Sequence, residues 1–309
     1  MKILITGVLG HIGSSLLENI SKIKNLKKVY LIDNARSNNL NVLFNLKKSK
    51  RKLNFIEGDL LDDNVLKNIK EDINVVIHLA SVTNAEASFR FKDLIYKNNL
   101  GVFKKICNFC LKKKAKLIHL SSTSIYGSQS SLVDEDCDFL KPQSPYADVK
   151  LLEEKYLKKK ENRKLKYITL RLGTITGVSK GMRFHTAVNK FCYKTILKEE
   201  VPIWNNAMDQ YRPYLSLSDA IKTFIYIINN NFFNREIYNV LTNNYTVREI
   251  LKMIKNNNFS IRIKKTKSPI LNQNSYKVSD KKIKKFKINF NKHIKNDIKE
   301  TLSLLKSLY

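Results

Sequence analysis

Short apolar runs alternate with helical patterns along the first 170 residues of this chain. The apolar runs predict strands at 2–6, 28–32, 54–57, 75–79, 116–120 and 167–171. The helical patterns between them predict helices at 14–24, 62–70, 91–113 and 145–161. Strands separated by helices are typical of right-handed crossovers and a parallel sheet. A sheet buried on both faces explains why runs such as 75–79 do not alternate with polar residues.

The pattern changes after Gly181, the last glycine of the chain. Segments 182–210 and 241–309 predict short helices and extended pieces that cap the sheet, whereas 214–217 and a helix from Asp219 are expected to return to it. The lysine-rich stretch from Lys264 is predicted to be folded because it keeps apolar residues: Ile270, Leu271, Val278, Ile283, Phe286, Ile288 and Phe290. We predict an α/β fold with a Rossmann-type doubly wound parallel sheet from 1–172 and 211–240, and a smaller, discontinuous C-terminal region from 173–210 and 241–309.

Composition excludes a membrane span and leaves one alternative open. No apolar run approaches the roughly 18 residues that a span needs. Lys2 and the apolar residues after it resemble a signal peptide, but the run breaks into glycines without a cleavage site, so we expect a cytoplasmic protein. The net charge of +30 permits a polyanion or RNA partner. Because the lysines are spread over the chain beside abundant Asn and Ile, a coding bias towards A and T explains the charge better, and a nucleic-acid partner is not expected.

The four cysteines do not predict a disulfide framework in a chain of this length. Cys107 and Cys110 form a C-x-x-C, the spacing of a redox motif or of half a zinc site. They lie in a helical pattern with an apolar face, and the sequence has neither a second C-x-x-C nor paired histidines. We therefore predict buried helix cysteines and no metal.

Three of the nine glycines, Gly7, Gly10 and Gly13, lie in the first thirteen residues. An apolar strand, a glycine-rich turn and a helix pattern from Ser14 follow one another there. This order places backbone N–H groups and a helix N-terminus where a pyrophosphate binds. Glycine suits the turn because a Cβ would block both the turn and the close approach of a diphosphate.

Two acidic residues follow predicted strands at the same edge. Asp33 ends the second strand and can accept hydrogen bonds from both hydroxyls of an adenosine ribose, which favours NAD over NADP. Arg36 lies close by and complicates that preference, and a solvated turn residue is the less favoured alternative for Asp33. Asp59 follows the third strand and is predicted to contact adenine.

Ser122, Tyr146 and Lys150 form the constellation on which the predicted chemistry depends. Tyr146 and Lys150 make a Y-x-x-x-K, which places the phenol and the ammonium on one helix face, one turn apart. A nearby ammonium favours the phenolate, so we expect a tyrosine pKa lowered from about 10 towards the working pH. Ser122 follows a strand end, where α/β sheets place ligands.

In this order, the motifs make the chain resemble the extended short-chain dehydrogenase/reductases, and within them the NAD-dependent nucleotide-sugar epimerase/dehydratase group. The resemblance covers nearly the whole chain. It rests on G-x-x-G-x-x-G at 7–13, V-I-H-L-A at 76–80, N-x-x-G at 98–101, L-R-x-x-x-x-x-G at 170–177 and P-I-W…Y-R-P-Y at 202–214.

The resemblance implies a role for each matched residue. Tyr146 would be the general base and acid, Lys150 would bind the nicotinamide ribose and tune Tyr146, and Ser122 would hydrogen-bond the reacting sugar hydroxyl. Segments 1–172 and 211–240 would bind NAD, and 173–210 and 241–309 the substrate. The implied NAD set is Gly7, Gly10, His11, Ile12, Gly13, Asp33, Asn34, Asp59, Leu60, Leu79, Ala80, Ser81, Asn98, Tyr146 and Lys150. The implied substrate set is Thr83, Ser124, Thr174, Arg183, His185, Trp204 and Arg212.

Two members of the substrate set have individual expectations. Arg212 would pair with the substrate diphosphate, a bidentate task that suits a guanidinium. Trp204, the only tryptophan, either lies against the nucleotide base or packs in the core. Thr174 stands where the family usually has Asn, so this motif does not identify the sugar of the substrate.

The segment between Ser122 and the Tyr-Gly at 126–127 favours one reaction of the family. Related dehydratases and decarboxylases carry acidic residues there, whereas this chain has Thr-Ser-Ile at 123–125. The sequence therefore predicts a 4-epimerase, which needs only reversible hydride transfer. A dehydratase, a dehydrogenase or reductase with net redox change, and a polyanion-binding protein on the same scaffold remain alternatives.

The helices predicted at 91–113 and 145–161 carry apolar faces beyond what one sheet face needs. The resemblance implies that these faces pair in a four-helix bundle. We therefore expect a homodimer.

Overall fold

The computed structural model describes residues 1–44, 52–83, 89, 91–267 and 275–308. Its strands are β1 (Lys2–Thr6), β2 (Lys28–Asp33), β3 (Lys52–Glu57), β4 (Val75–His78), β5 (Lys116–Ser122), β6 (Leu132–Val133), β7 (Tyr167–Leu172), β8 (Thr174–Thr176), β9 (Glu200–Trp204), β10 (Tyr211–Ser216), β11 (Ile237–Val240), β12 (Asn243–Thr246), β13 (Arg262–Thr266) and β14 (Lys277–Val278). Its α-helices are α1 (His11–Glu18), α2 (Asp63–Lys67), α3 (Lys92–Ile95), α4 (Gly101–Lys113), α5 (Pro145–Leu157), α6 (Ala187–Ile196), α7 (Leu217–Asn229), α8 (Val247–Lys255), α9 (Lys281–Lys284) and α10 (Lys295–Lys306).

The main sheet has seven parallel strands in the order β11-β7-β5-β4-β1-β2-β3. The chain builds the sheet outward from β1 in one direction through β2 and β3, and in the other through β4 and β5. The carboxyl ends of β1 and β4 therefore flank a crevice where the strand order reverses, which is where open α/β sheets bind ligands. The predicted Rossmann-type sheet is confirmed.

Both faces of the sheet are buried, as the unbroken apolar runs predict. Ile3 and Ile5 of β1 pack into a core that α1 and α7 cover, with Phe224 at its centre. Leu4, which points the other way, packs into a second core with Phe103 of α4. Helices on both sides thus fix the strand ends that carry the site.

Smaller sheets form the remaining region: β12-β10-β8, β13-β9 and β14-β6. The prediction that 214–217 return to the main sheet is wrong, because β10 pairs in parallel with β8 and antiparallel with β12. Only the next elements, α7 and β11, return. A short apolar strand does not show in its sequence which sheet it joins. The proposed division into two regions stays a prediction.

Several helix bounds differ from the sequence pattern. The helix predicted at 91–113 consists of α3, a π-helical turn (Tyr96–Leu100) and α4. Helix α1 begins at His11 rather than Ser14, which makes Gly10 its N-cap. Within the lysine-rich C-terminal stretch, Ile270 and Leu271 lie outside the described residues, whereas Ile283 is fully buried.

Cys107 and Cys110 are both fully buried in α4, as predicted. Burial raises the pKa of each thiol above its ordinary value, so neither is a thiolate at neutral pH. In the parts of the chain that the structure describes, no helix has both the length and the apolar character to cross a membrane.

Candidate active site

Backbone atoms lie so close to the glycine turn after β1 that a side chain on Gly7 or Gly13 does not fit. Gly7 has φ +72°, and a Cβ there would lie 2.5 Å from the backbone nitrogen of Ala80. A Cβ on Gly13 would lie 2.5 Å from the carbonyl oxygen of Gly7. The turn is therefore pressed between the end of β4 and the first turn of α1.

The amino end of α1 opens towards this turn. Its N-cap is Gly10, which has no side chain to satisfy the first N–H groups, and its first turn is His-Ile-Gly-Ser without a carboxylate. The Nη2 atom of Arg183 lies 3.2 Å from the position of a Cβ on Gly10. A helix N-terminus and a guanidinium thus converge on one small space, which suits a pyrophosphate.

A cleft runs from the glycine turn along the carboxyl ends of the strands. Ten predicted NAD-binding residues line it: Gly7, Gly10, Asp33, Asn34, Asp59, Leu60, Leu79, Ala80, Ser81 and Asn98. Seven further residues, for which the sequence predicts no cofactor role, also line it: Ile32, Arg36, Ser37, Gly58, Val82, Val102 and Arg183. The Ser81 hydroxyl is buried without a hydrogen-bond partner within the described part of the chain. An unpaired polar atom beside a diphosphate-sized cradle fits a bound dinucleotide.

Asp33 lies at the cleft with both carboxylate oxygens oriented by the backbone. Oδ2 accepts from the Leu9 N–H and Oδ1 from the Ala35 N–H, each at 3.0 Å. Burial raises the pKa of Asp33, and these hydrogen bonds oppose the rise. Arg36 does not pair with it, because its Nη2 lies 2.9 Å from Asp59 Oδ2. The orientation leaves lone pairs of Asp33 for ribose hydroxyls.

Two predicted NAD residues of the glycine turn, His11 and Ile12, do not place their side chains at the cleft. His11 is buried with Nδ1 2.7 Å from the Ser179 hydroxyl, and Ile12 packs against the first core. Burial, together with the charge of Arg183, lowers the pKa of His11 to about 4, so the imidazole is neutral. Only the backbone N–H groups of this turn are placed to bind an anion.

Tyr146 and Lys150 lie on the first turns of α5, next to the end of β5. The Ser144 hydroxyl caps the helix by accepting from the Ala147 N–H at 3.2 Å, and Pro145 occupies the first turn. The Lys150 Nζ lies 5.9 Å from the centre of the Tyr146 ring. Burial raises the pKa of Tyr146, and the Ser122 hydroxyl is one of the nearby groups that oppose the rise. The predicted catalytic residues therefore come together at the carboxyl edge of the sheet.

The electrostatics of the pair differ from the expectation. Burial raises the pKa of Tyr146 above its ordinary value, although Lys150 opposes the rise. The expected net lowering is therefore wrong for this state of the protein. Burial would lower the pKa of Lys150, but a carboxylate raises it above its ordinary value. That carboxylate is Glu153, which the sequence analysis missed because a Lys and a Glu three residues apart are typical of a solvated helix face.

The predicted substrate residues divide into two groups. Arg183 hydrogen-bonds Thr83, and its charge acts on both Asp33 and Tyr146, so it lies between the cleft and the catalytic pair. The hydroxyl of Ser124 lies 2.8 Å from that of Ser122. Arg183 and Ser124 therefore lie close to Tyr146 and Ser122.

Arg212, Trp204 and Thr174 lie on strands of the smaller sheets. His185 lies in the segment before α6. Arg212 stands on β10 over the ring of Tyr276, 5.0 Å from its centre, and Tyr276 hydrogen-bonds Thr123. Trp204 ends β9 and packs against the apolar cluster of α6, α8 and α10. Thr174 is half-buried on β8, and His185 is exposed. Tyr276 was not predicted, because a lone tyrosine late in the chain carries no motif.

The chain is similar to known proteins in sequence and in fold. The sequence profile of the "NAD dependent epimerase/dehydratase family" matches residues 3–240. The dTDP-D-glucose 4,6-dehydratase of Dictyostelium discoideum is 30% identical over 78% of this chain, a match that spans 58% of the relative. The putative UDP-glucose 4-epimerase of Methanocaldococcus jannaschii is 27% identical over 78% of this chain and 76% of the relative.

Among solved structures, a UDP-glucuronic acid 4-epimerase variant from Bacillus cereus, in complex with NAD and a fluorinated UDP-sugar, covers 100% of both chains with a TM-score of 0.89 and 24% identity. The fold is thus shared over the full length. The profile match confirms the predicted resemblance and the predicted NAD cofactor. It also confirms the prediction that the chain is an enzyme of this family. The chain belongs to the NAD-dependent epimerase/dehydratase family.

Proposed function

We propose that this chain is an NAD-dependent 4-epimerase of a nucleoside-diphosphate hexose. The observation that carries the proposal is the meeting of Ser122, Tyr146 and Lys150 beside a dinucleotide-shaped cleft, next to a turn without a carboxylate. That turn holds Thr123, bonded to the Leu172 carbonyl at 3.2 Å, and the fully buried Ile125. The names of the similar proteins, which include several UDP-sugar 4-epimerases, support the same reaction.

The residues divide the work of reversible oxidation. Tyr146 takes the proton from the sugar hydroxyl, Ser122 orients that hydroxyl by a hydrogen bond, and Lys150 favours the phenolate. Bound NAD would accept a hydride from the sugar and return it. Tyr146 then gives its proton back after the keto sugar has turned over. Arg212 holds the remote diphosphate, so binding energy keeps the sugar near reaction distance.

The substrate and the net reaction are tested together. The protein is incubated with UDP-glucose, UDP-glucuronate and dTDP-glucose, and products are followed by NMR and by absorbance at 340 nm. The proposal expects inversion at carbon 4 without accumulating NADH. A 4-keto-6-deoxy product would make the chain a dehydratase, and NADH formed in step with product would make it a dehydrogenase; either result contradicts the proposal.

Asp33 is proposed to select NAD over NADP by repelling a 2′-phosphate. Asp33→Asn keeps an acceptor for the Leu9 N–H but loses the charge, so the preference for NAD should fall about tenfold, or roughly 1.4 kcal/mol. Calorimetric titration with both dinucleotides measures the ratio. Asp62→Asn, which removes the charge of an exposed carboxylate outside the cleft and keeps an acceptor for the Asn64 N–H, is the matched control and should leave the ratio nearly unchanged. An unaltered ratio in Asp33→Asn would contradict the role.

We also propose a homodimer through α3 and α5. These helices present exposed apolar side chains, Leu94 at 49% and Leu152 at 36%, with Phe89 at 45% and Phe91 at 56% beside them. A contiguous exposed apolar surface is typical of a protein interface. Leu152→Glu should produce a monomer in analytical ultracentrifugation. Leu304→Glu on α10 changes a residue that is 42% exposed and should leave the dimer intact; a wild-type monomer, or a dimer in Leu152→Glu, would contradict this interface.

A cytoplasmic location is proposed from the cysteines. Cys107, Cys110, Cys137 and Cys192 are all free thiols. Free thiols are typical of a reducing compartment.

A second candidate function rests on one basic cleft. Lys116, Arg163, Lys164, Lys166 and Arg235 line it together with Phe233, near the amino ends of β5 and β7 and opposite the NAD cleft. Such a surface suits RNA or another polyanion. RNA binding that falls steeply with salt and persists in Tyr146→Phe would support this candidate. Absence of binding at low salt would remove it.

A further inference from the structure

A buried carboxylate lies behind the catalytic lysine. Glu153 is 1% exposed, and its Oε2 accepts from the Lys150 Nζ at 2.8 Å. The same oxygen lies 3.1 Å from Nε2 of His119 on β5, which is fully buried. The hydrogen bond to Glu153 therefore holds Lys150 on the helix side, while the Lys150 ammonium also acts on Tyr146.

The hydrogen bond to Glu153 places a proton on Nε2 of His119, because a carboxylate only accepts. On the other side of the ring, Nδ1 lies 3.2 Å from the hydroxyl of Thr169 on β7. Glu153 is thus linked through His119 to β5 and β7, two neighbouring strands of the main sheet.

A folded protein does not need a buried ion pair of this kind for its stability. Burying a carboxylate and an ammonium is costly, and apolar residues of similar size are often as stable in such places. The effect of Glu153 therefore lies in where it holds Lys150 and in the charge it adds near Tyr146.

We propose that Glu153 is a positioning residue, which holds the Lys150 ammonium beside Tyr146 and offsets part of its charge, so that it sets the pH range over which the tyrosine gains and loses its proton. The use of that proton in catalysis rests on the proposed epimerase function. The effect on the ionisation of Tyr146 belongs to the folded protein and does not depend on that function.

The titratable and charged groups that face this cluster come from five places: His78 on β4, Cys107 on α4, His119 on β5, Glu154 on α5 and Arg183 in the loop before α6. Burial lowers the pKa of His78 to about 3 and raises that of Cys107, so both are neutral. Glu154 is paired with Arg171 at 2.8 Å. Glu153 is therefore the main negative charge that acts on Lys150 and Tyr146.

The sign of the effect is the same for both groups. Burial raises the pKa of Tyr146 most, and the negative charge of Glu153 raises it further. The pKa of Lys150 is lowered by burial, and Glu153 is the largest influence that raises it. Removing the charge should therefore lower both pKa values, so both limbs of a pH–rate profile should move to lower pH.

Glu153→Gln tests the proposal by ultraviolet difference titration of the protein without substrate. The phenolate of Tyr146 is isolated by subtracting the spectrum of the same protein carrying Tyr146→Phe. At pH values well below the pKa of Tyr146 in both proteins, the fraction of Tyr146 as phenolate should be about tenfold higher in Glu153→Gln than in wild type, which corresponds to a pKa lower by about one unit. An equal fraction in both proteins would overturn the proposal.

Two further variants separate this effect from a loss of structure. Glu153→Asp restores a carboxylate and should return the titration towards wild type. Glu154→Gln removes the neighbouring buried carboxylate, whose partner is Arg171, and should shift the titration much less. Equal shifts in Glu153→Gln and Glu154→Gln would contradict a specific role of Glu153. Because no sugar is turned over, a failed epimerase assay and a failed titration are distinct results.

Discussion

Tyr146→Phe is expected to lower kcat about 10³-fold, because positioned proton transfer contributes roughly 10²–10⁴-fold. The phenol is the group that we propose to exchange a proton with the sugar, and no other hydroxyl on α5 faces Lys150 within the described residues. The ring itself stays, so packing and NAD binding should be unchanged. Single-turnover kinetics and calorimetric titration with NAD measure the two quantities separately.

Tyr156→Phe is the matched control on the same helix. Its hydroxyl lies away from the cleft, and its ring packs beside Phe103 in the second core. Activity of this variant should stay close to wild type. Equal activity of Tyr146→Phe and wild type would sink the assignment of the catalytic base.

Gly7→Ala is expected to destabilise the protein by about 3 kcal/mol and to abolish NAD binding. A Cβ costs roughly 1–2 kcal/mol at a left-handed backbone position, and the clash with the Ala80 backbone adds a similar amount. Neither strand end can retreat, because β1 and β4 pair directly in the sheet. Urea unfolding and dinucleotide titration measure both effects.

Gly101→Ala is the matched control, and it is expected to stabilise the protein where Gly7→Ala destabilises it. Gly101 has helical backbone angles, and a Cβ there would meet its nearest neighbour, Leu61, at 3.8 Å. Alanine should therefore stabilise the helix by about 0.5–1 kcal/mol. A Gly7→Ala protein as stable as wild type and still able to bind NAD would contradict the proposed role of the turn.

The sequence predicted the main sheet because its inner strands, such as β1 and β4, are buried on both faces and leave unbroken apolar runs. It misplaced β10, because the short run at 214–217 does not show which strands it pairs with, and its partners, β8 and β12, lie about 40 and 30 residues away in the chain. The π-helical turn before Gly101 was also not predictable, because it keeps the helical pattern of side chains.

In the candidate site, residues with a motif were found and residues defined by burial were missed. Ser122, Tyr146 and Lys150 have a spacing that chemistry requires, and the structure brings them together. Glu153 was missed because its burial depends on how α5 lies against β5, which the sequence does not state. The direction of the Tyr146 pKa shift failed for the same reason, since desolvation outweighs the ammonium.

The most direct test of the account follows the hydrogen on carbon 4 of the sugar. A nucleotide hexose carrying deuterium at carbon 4 is incubated with the protein in ordinary water, and the product is analysed by NMR. Reversible transfer within one bound complex predicts an inverted product that keeps its deuterium, with no NADH released. Loss of the deuterium to solvent, or net accumulation of reduced cofactor, would contradict the account.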